Sequence, residues 1–330
     1  MNIRYIGSKY KLNRWIFSII NQNISTENTV FLDACSGCGS VSKYAVNSGY
    51  KVIANDLMKF SSVILNGSIG LTKEQHNITL KEINKFNSFD NGINGYFYNN
   101  FCDESVPPRL YFTAKNAQLI DLFLKQINSI EDSKVKDYLL YCGLKTISRV
   151  SNVTGTQSAF LKKYQKRAKD PFKLNYENVI EGEISVFNRD ILSLLNDSEF
   201  RRTHREDILY LDPPYNQRQY GPNYHLYETF VRNDNSQIKG LTGLRDWKNE
   251  SYSDFCVKEN CLQIFESIVK SSTAKSIFIS YNSEGLLQKE DFKNLFPNII
   301  IHQHTKQRYK SFKSDSFNKN VTEYLFEIQR

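Results

Sequence analysis

The stretch that decides the fold runs from residue 30 to residue 39 and reads VFLDACSGCG. Its apolar start predicts a short strand, and the Gly-rich turn over residues 35–39 leads into a predicted helix over residues 40–48. A second apolar run, residues 51–54, predicts the next strand, which closes at Asp56. Strand, turn, helix and strand make one βαβ unit, so we expect a parallel sheet with helices on its faces.

Later apolar runs extend this sheet. Residues 208–211 end in Asp212-Pro213-Pro214-Tyr215, and residues 276–280 end in a polar turn. Residues 323–328 have the pattern of a terminal strand. We expect these strands, although distant in sequence, to complete the same α/β core.

The middle of the chain has a different pattern. Between about residues 110 and 150, apolar residues recur at intervals of three and four, which is typical of helices. We therefore predict an α/β core formed by residues 1–57 and 181–330, interrupted by a mostly helical insert over residues 58–180.

Composition and charge narrow the class of protein. The 330 residues are 40% hydrophobic and 24% charged, and their net charge is +8, which suits a polyanionic partner but is weak evidence alone. No run approaches the roughly 18 apolar residues of a membrane helix, and no apolar core follows the basic start, so we expect no membrane segment or secretory signal. Six scattered cysteines favour reduced thiols and a cytoplasmic protein.

The Gly-rich turn and Asp56 have the arrangement of an adenosine site. Glycines let the backbone approach a ligand, and a carboxylate that ends the second strand can accept both ribose hydroxyls. Dinucleotide sites and S-adenosylmethionine sites share this arrangement. The dinucleotide fingerprint needs a third glycine where this chain has Ser42, which weakens the match to an oxidoreductase. Taken alone, the segment is equally compatible with a plain tight turn.

The cysteine and histidine patterns do not predict a metal site. Cys35 and Cys38 form a Cys-x-x-Cys pair, but a zinc site needs a second pair at suitable spacing, and Cys256 and Cys261 match poorly. Two histidines alternate over residues 302–304 and are interpreted as structural or surface residues.

The tetrapeptide Asp212-Pro213-Pro214-Tyr215 is the most informative segment. It follows a strand, so it lies at the carboxyl end of the sheet, where α/β folds bind ligands. An exocyclic amine can donate one N–H to Asp212 and the other to the Pro213 carbonyl, which localises the nitrogen lone pair for attack on a sulfonium methyl. Tyr215 can stack on the base. A rigid turn after a strand is the minor interpretation.

Three motifs in this order resemble the D12 class, or α group, of N6-adenine DNA methyltransferases. They are residues 4–9 (RYIGSK), residues 33–39 and residues 212–215, and their order and spacing cover nearly the whole chain. Further segments resemble a subgroup of restriction–modification methylases that includes the NlaIII-like and FokI-like enzymes. These are residues 111–113, 116–117, 150–156, 161–164, 218–220, 224–229, 280–282, 308–311 and 323–326.

The resemblance implies a Rossmann-like S-adenosylmethionine-dependent methyltransferase core with a target-recognition insert. Residues 31–39 would wrap the methionine part of the cofactor, Asp56 would hold the ribose and Asp190 would bind the adenine. The implied cofactor-binding residues are Tyr5, Lys9, Asp33, Cys35, Gly37, Gly39, Asp56, Asp190 and Asp212. The implied catalytic residues are Asp212, Pro213, Pro214 and Tyr215. This chain departs from the Dam pattern in two places: Tyr5 replaces a tryptophan, which should preserve stacking, and residues 34–36 replace bulkier residues before the glycines.

An adenine inside a duplex hides its amine, so such an enzyme must flip the base out. The basic run from Lys162 to Lys173 can supply phosphate contacts, although it can also be a solvated helix face. Polar residues after residue 151 are suited to hydrogen bonds with base edges. Residues 216–224 are expected to form a loop over the flipped base. The predicted DNA-binding residues are Asn152, Thr156, Lys162, Lys163, Lys166, Arg167, Arg218 and Tyr220.

The sequence thus predicts a monomeric modification enzyme that methylates adenine N6 in a short double-stranded DNA site, by direct displacement. The resemblance allows a restriction endonuclease partner encoded nearby and hints at a CATG site. The alternatives are a methyltransferase for cytosine N4 or for RNA, a catalytically silent DNA-binding relative, and a nucleotide-dependent oxidoreductase. Asp212 argues against cytosine N4 enzymes, which usually have serine there.

Overall fold

A computed structural model describes residues 3–307 and 320–330 of the chain. The strands are β1 (Val30–Asp33), β2 (Lys51–Asn55), β3 (Ile184–Phe187), β4 (Ile208–Leu211), β5 (Ser276–Asn282), β6 (Ile300–Gln307) and β7 (Asn320–Gln329). They form one sheet in the order β3-β2-β1-β4-β5-β7-β6. Neighbours from β3 to β5 run parallel, whereas β7 runs antiparallel to β5 and β6. The predicted α/β fold with a parallel core is therefore confirmed.

The helices surround this sheet and fill the insert. They are α1 (Asn13–Ile20), α2 (Ser40–Asn47), α3 (Lys59–Ser68), α4 (Lys73–Asn87), α5 (Tyr96–Phe101), α6 (Ala114–Ile127), α7 (Ser133–Val150), α8 (Ile191–Leu195), α9 (Ser198–Thr203), α10 (Tyr220–Asn223), α11 (His225–Arg232), α12 (Trp247–Glu250), α13 (Lys258–Ser271) and α14 (Lys289–Leu295). Short 3-10 helices occupy Lys9–Lys11, Lys166–Lys169 and Asp254–Cys256. In the part of the chain that the structure describes, no helix is both long and apolar enough to cross a membrane.

Strand β4 is apolar because helices cover both faces of the sheet there. Successive strand side chains point to opposite faces. In β4, Ile208 and Tyr210 pack in a cluster with α1 and α2, whereas Leu209 and Leu211 pack in a cluster with α8 and α13. All four are fully buried. This double covering explains why the strand is a continuous apolar run and not an alternating one.

The insert packs around a third apolar cluster, to which α3 to α7 contribute. Leu226, Tyr227 and Phe230 of α11 belong to the same cluster, although α11 follows the tetrapeptide in sequence. The buried Glu228 carboxylate also accepts the backbone N–H groups of Lys59 and Phe60 at the start of α3, at 3.0 and 3.2 Å. The insert is therefore tied to the C-terminal part of the chain, and the division at residues 58 and 181 stays a prediction.

Helical structure is concentrated in the first part of the insert. Residues 151–183 contain only the 3-10 turn Lys166–Lys169 and no α-helix. The interpretation of the basic run at Lys162–Lys173 as a helix face is therefore wrong. The resembling segment at residues 308–311 lies outside the described residues.

Candidate active site

A cavity of about 450 Å³ lies at the carboxyl ends of β1, β2 and β4. The order of the sheet places these three strands side by side, so motifs far apart in sequence meet there. Gly39 does not line the cavity but begins α2. The predicted residues that do line it are Tyr5, Lys9, Asp33, Cys35, Gly37, Asp56, Asp190, Asp212, Pro213, Pro214, Tyr215 and Tyr220.

The Gly-rich turn has a backbone that only glycine adopts without strain. Gly37 and Gly39 have φ angles of +52° and +75°, in the left-handed region. A Cβ atom on Gly37 would lie 2.7 Å from the Tyr5 hydroxyl oxygen. The Gly37 N–H donates to Asp56 Oδ2 at 2.7 Å, and the Met58 N–H donates to Asp56 Oδ1 at 2.8 Å. Asp56 therefore fixes the turn against the end of β2.

Asp33 is a buried carboxylate with one bound oxygen and one open oxygen. The Ser42 hydroxyl donates to Asp33 Oδ2 at 2.6 Å. Oδ1 has no hydrogen-bond partner among residues 3–307 and 320–330. Burial, together with the negative charges of Asp212 and Asp56, raises the pKa of Asp33 to about 7, although the Ser42 hydrogen bond acts to lower it. Ser42, which breaks the dinucleotide fingerprint, thus has a role in holding Asp33.

Burial likewise raises the pKa of Asp56 to about 6, although two backbone N–H groups donate to it. The cavity therefore contains two carboxyl groups, on neighbouring strands, whose negative charge is costly while the protein is free. A cationic ligand placed between them would favour their ionised forms.

Asp212 is held by Lys9, near the start of the chain, and by Tyr215 of its own tetrapeptide. The Lys9 ammonium lies 2.8 Å from Asp212 Oδ1 and 3.1 Å from the Gly7 carbonyl oxygen. The Tyr215 hydroxyl also donates to Asp212 Oδ1 and lies 3.1 Å from the Ser280 hydroxyl. The Lys9 ammonium is 4.8 Å from the centre of the Tyr215 ring. Lys9 was predicted to bind the cofactor; the structure places it on the tetrapeptide.

Tyr5 lies in an aromatic cluster that forms one wall of the cavity. Its ring stacks on Tyr224 at 5.0 Å between centroids and also contacts Tyr220 and Phe60. The Tyr224 hydroxyl accepts the Ile6 N–H at 2.7 Å. The residue patterns predict no role for Tyr224, although it lies in the resembling segment at residues 224–229.

Asp190 and Cys35 are the remaining predicted cofactor-binding residues. Asp190 caps α8, where it accepts the Ser193 N–H at 2.9 Å, and remains exposed to the cavity. Burial raises the pKa of the Cys35 thiol well above its usual value, so the thiol is protonated. Within residues 3–307 and 320–330, no group of three or more His, Cys, Asp or Glu side chains is placed to hold a metal ion.

Comparison with known proteins identifies the family. The sequence model for the D12 class N6 adenine-specific DNA methyltransferases matches residues 5–295. The chain belongs to this family. The type II methyltransferase M.NlaIII of Neisseria lactamica is 31% identical over 99% of this chain and 99% of its own length. M.CviAII of Paramecium bursaria Chlorella virus 1 is 31% identical over 99% of this chain and 98% of its own.

M.FokI of Planomicrobium okeanokoites is also 31% identical over 99% of this chain. The chain spans only 53% of the length of that relative. The family membership predicted from the three motifs is confirmed, and so is the resemblance to NlaIII-like and FokI-like enzymes.

One predicted DNA-binding residue of this D12-class chain has a different role. Asn152 is completely buried, and its side-chain N–H groups donate to the carbonyl groups of Leu110, Leu161 and Lys163 at 3.0, 3.0 and 3.3 Å. Its side-chain oxygen accepts the Gln165 N–H at 3.0 Å. The prediction that Asn152 reads base edges is therefore wrong: it holds the backbone of the basic segment in place.

The other predicted DNA contacts of this D12-class chain stay predictions. Lys162, Lys163, Lys166 and Arg218 are exposed, and Arg167 is half-buried. Thr156, Arg167 and Tyr220 are each held by a neighbour: Thr156 lies 3.1 Å from the Ser158 hydroxyl, Arg167 donates to the Val153 carbonyl, and Tyr220 donates to the Ile6 carbonyl at 3.4 Å.

Proposed function

We propose that this chain transfers the methyl group of S-adenosylmethionine to N6 of an adenine flipped out of double-stranded DNA. One observation carries the proposal. A single cavity is lined both by the Gly-rich turn with its carboxylates and by Asp212-Pro213-Pro214-Tyr215. The first set suits an adenosine-containing cation, the second suits a planar amine, and the shared space lets the two react.

S-adenosylmethionine fits the cofactor side in charge and hydrogen bonding. Asp33 Oδ1 and the Ser36 hydroxyl are buried at the cavity without protein partners in the described chain, and both can meet the polar methionine end. Each Asp56 oxygen keeps a lone pair for a ribose hydroxyl. Asp190 would bind the adenine, and Tyr5, Lys9, Cys35 and Gly37 would surround the rest, with Gly39 shaping the turn. When bound, the cofactor supplies a methyl group on a positively charged sulfur.

The tetrapeptide would prepare the target amine for direct displacement. Asp212 accepts one N–H and the Pro213 carbonyl accepts the other, while Pro214 keeps this backbone rigid. The amine nitrogen would accept the methyl group that the cofactor supplies and would then lose one proton, for which Asp212 is an acceptor. In the free protein Lys9 and Tyr215 occupy Asp212 Oδ1, so the amine meets a carboxylate that is already oriented.

The DNA would lie over the cavity and over the basic segment of the insert, Lys162–Lys173. Lys162, Lys163, Lys166 and Arg167 would supply positive charge for phosphates. Thr156 and Arg218, on loops, and Tyr220, at the start of α10, would contact the DNA near the target. Because its relatives are named type II methyltransferases, we infer a monomeric modification enzyme in the cytoplasm, paired with a separate restriction endonuclease.

The test is expression of the chain and of Asp212→Ala in a methylation-deficient bacterial host. Genomic DNA and RNA are digested to nucleosides, and N6-methyladenine and N4-methylcytosine are quantified. We expect N6-methyladenine in DNA with the wild-type chain and only background with Asp212→Ala. N4-methylcytosine would overturn the target base, methylated RNA would overturn the substrate, and DNA binding with no product would indicate a silent relative. Long-read sequencing of methylated DNA then gives the recognition site.

A further inference from the structure

Arg4 and Arg167 meet on one backbone carbonyl beside the cavity wall. Nη1 of Arg4 donates to the Val153 carbonyl oxygen at 3.3 Å, and Nη2 of Arg167 donates to the same oxygen. Nη2 of Arg4 also donates to the Arg149 carbonyl oxygen at 3.3 Å. The two guanidinium groups, 163 positions apart in sequence, are thus fixed side by side by the end of α7 and the residues after it.

This pair has no negative partner in the part of the chain that the structure describes. Arg189, Arg201 and Arg245 each form an ion pair with a carboxylate, whereas Arg4 and Arg167 bind only carbonyl groups and, for Arg167, the Gln165 side chain. Burial lowers the pKa of Arg4, and the positive charge of Arg167 lowers it further. Two adjacent like charges repel each other, and an anion between them removes that repulsion.

A purely structural arginine of this chain looks different. Arg109 also donates to carbonyl groups, those of Asn100, Gly240 and Leu241, but it is only 7% exposed. Arg4 and Arg167 both keep part of their surface in solvent. Their remaining N–H groups are therefore accessible to a ligand.

We propose that Arg4 and Arg167 together hold one phosphate of the DNA backbone near the flipped nucleotide. Arg4 directly precedes Tyr5, which lines the cavity, and Arg167 belongs to the basic segment. The planar guanidinium matches phosphate oxygens in two-pronged geometry. Such a contact fixes the register of the duplex and carries no sequence information. This inference rests on the proposed function, because it takes duplex DNA as the substrate.

The test is the salt dependence of binding to a labelled non-specific duplex. We compare the wild-type chain with Arg4→Gln, Arg167→Gln, the double variant and Arg202→Gln, an exposed arginine on α9. For one shared phosphate, the slope of log affinity against log salt becomes shallower by about 0.9 in the double variant and by no more than that in either single variant. The double variant also binds about tenfold more weakly near 0.1 M salt. Arg202→Gln retains the wild-type slope.

Several outcomes overturn the inference. An unchanged slope in the double variant removes the phosphate contact, and a change of about 1.8 indicates two separate phosphates. A lower melting temperature with an unchanged slope assigns the pair to structure alone. If Arg4→Gln fails to fold, two other variants replace it in the test. Arg167→Gln must weaken DNA binding, and Arg4→Lys, which retains the charge, must keep the wild-type slope.

Methylation by the wild-type chain is scored separately. Product without any slope change overturns this inference and leaves the proposed function standing. The predicted slope change without product supports the phosphate site and overturns the proposed function.

Discussion

The cofactor side of the cavity and the insert side, meaning Arg4 with residues 151–173, are built in different ways. On the cofactor side, groups close in sequence bind one another: Asp56 holds the N–H of Gly37, and Ser42 holds Asp33. On the insert side, Asn152 holds backbone groups from separate segments, and arginines from distant segments meet on one carbonyl. A local turn provides a site for one ligand type, whereas long-range backbone contacts position a segment whose side chains remain at the surface.

The largest expected effect lies at Asp212, in the cavity. Asp212→Ala removes the acceptor for the amine N–H, so the rate of methyl transfer falls by about 10²- to 10⁴-fold. The measurement is incorporation of labelled methyl groups into DNA by the purified chain, with cofactor affinity measured in parallel.

Asp90→Ala is the matched control, because Asp90 is an exposed aspartate outside the proposed cofactor and DNA sites. It should leave the transfer rate unchanged. Asp212→Ala also leaves the buried Lys9 ammonium without its carboxylate, so melting temperatures are recorded for both variants. A fully active Asp212→Ala chain would contradict the proposed chemistry.

Replacement of Asn152 tests whether contacts to backbone groups hold the insert side in place. Asn152→Ala leaves buried carbonyl groups without donors, so we expect the free energy of unfolding to fall by about 2–3 kcal/mol. Denaturant unfolding measures this change. Thr154→Ala, at an exposed position two residues on, should have no effect on stability. If Asn152→Ala kept its stability and lost DNA affinity, Asn152 would belong to the DNA surface after all.

Replacement of two glycines tests whether the Gly-rich turn belongs to the cofactor-binding site. Gly37→Ala places a methyl group against Tyr5 in a left-handed backbone, so cofactor affinity should fall roughly 30-fold. Calorimetric titration with S-adenosylmethionine measures it. At Gly155, in the loop of the insert side, an added Cβ meets nothing within 4 Å, so Gly155→Ala should bind the cofactor normally. Equal affinities for the two variants would remove the Gly-rich turn from the binding site.

The smallest expected effect is a pH dependence confined to the cofactor side. Because the pKa of Asp33 is raised to about 7, the folded chain keeps a proton that the unfolded chain releases near pH 4. Its contribution to the free energy of unfolding is therefore full below about pH 4 and is lost as pH rises through about 7. A cationic cofactor favours the carboxylate, so its affinity should rise roughly eightfold from pH 6 to pH 7.5.

Titrations at the two pH values measure this rise, and Asp33→Asn should abolish it. DNA binding by the insert side, measured over the same pH range, should not follow the same curve. A pH-independent cofactor affinity in the wild-type chain would place the cation away from Asp33.

The sequence predicted the structure of the cofactor side because the residue patterns that specify it are local. A strand, a Gly-rich turn, a helix and a second strand were placed within a residue or two of β1, α2 and β2. The contact between Lys9 and Asp212 spans 203 positions and depends on how the sheet is ordered, so residue patterns alone did not reveal it. Asn152 was misassigned for a related reason: a polar residue in a loop has the same local signature whether it is buried against carbonyl groups or exposed to DNA.

The anchoring of the basic segment through its backbone has a consequence for how this protein can change. Asn152 binds main-chain groups of Leu161 and Lys163, and Asn116 binds those of Ala168 and Asp170. Main-chain groups are the same whatever residue carries them, so most side chains along this segment can be exchanged without loosening it. New target preferences can therefore evolve, or be engineered, by exchange of surface side chains that do not hold this segment in place.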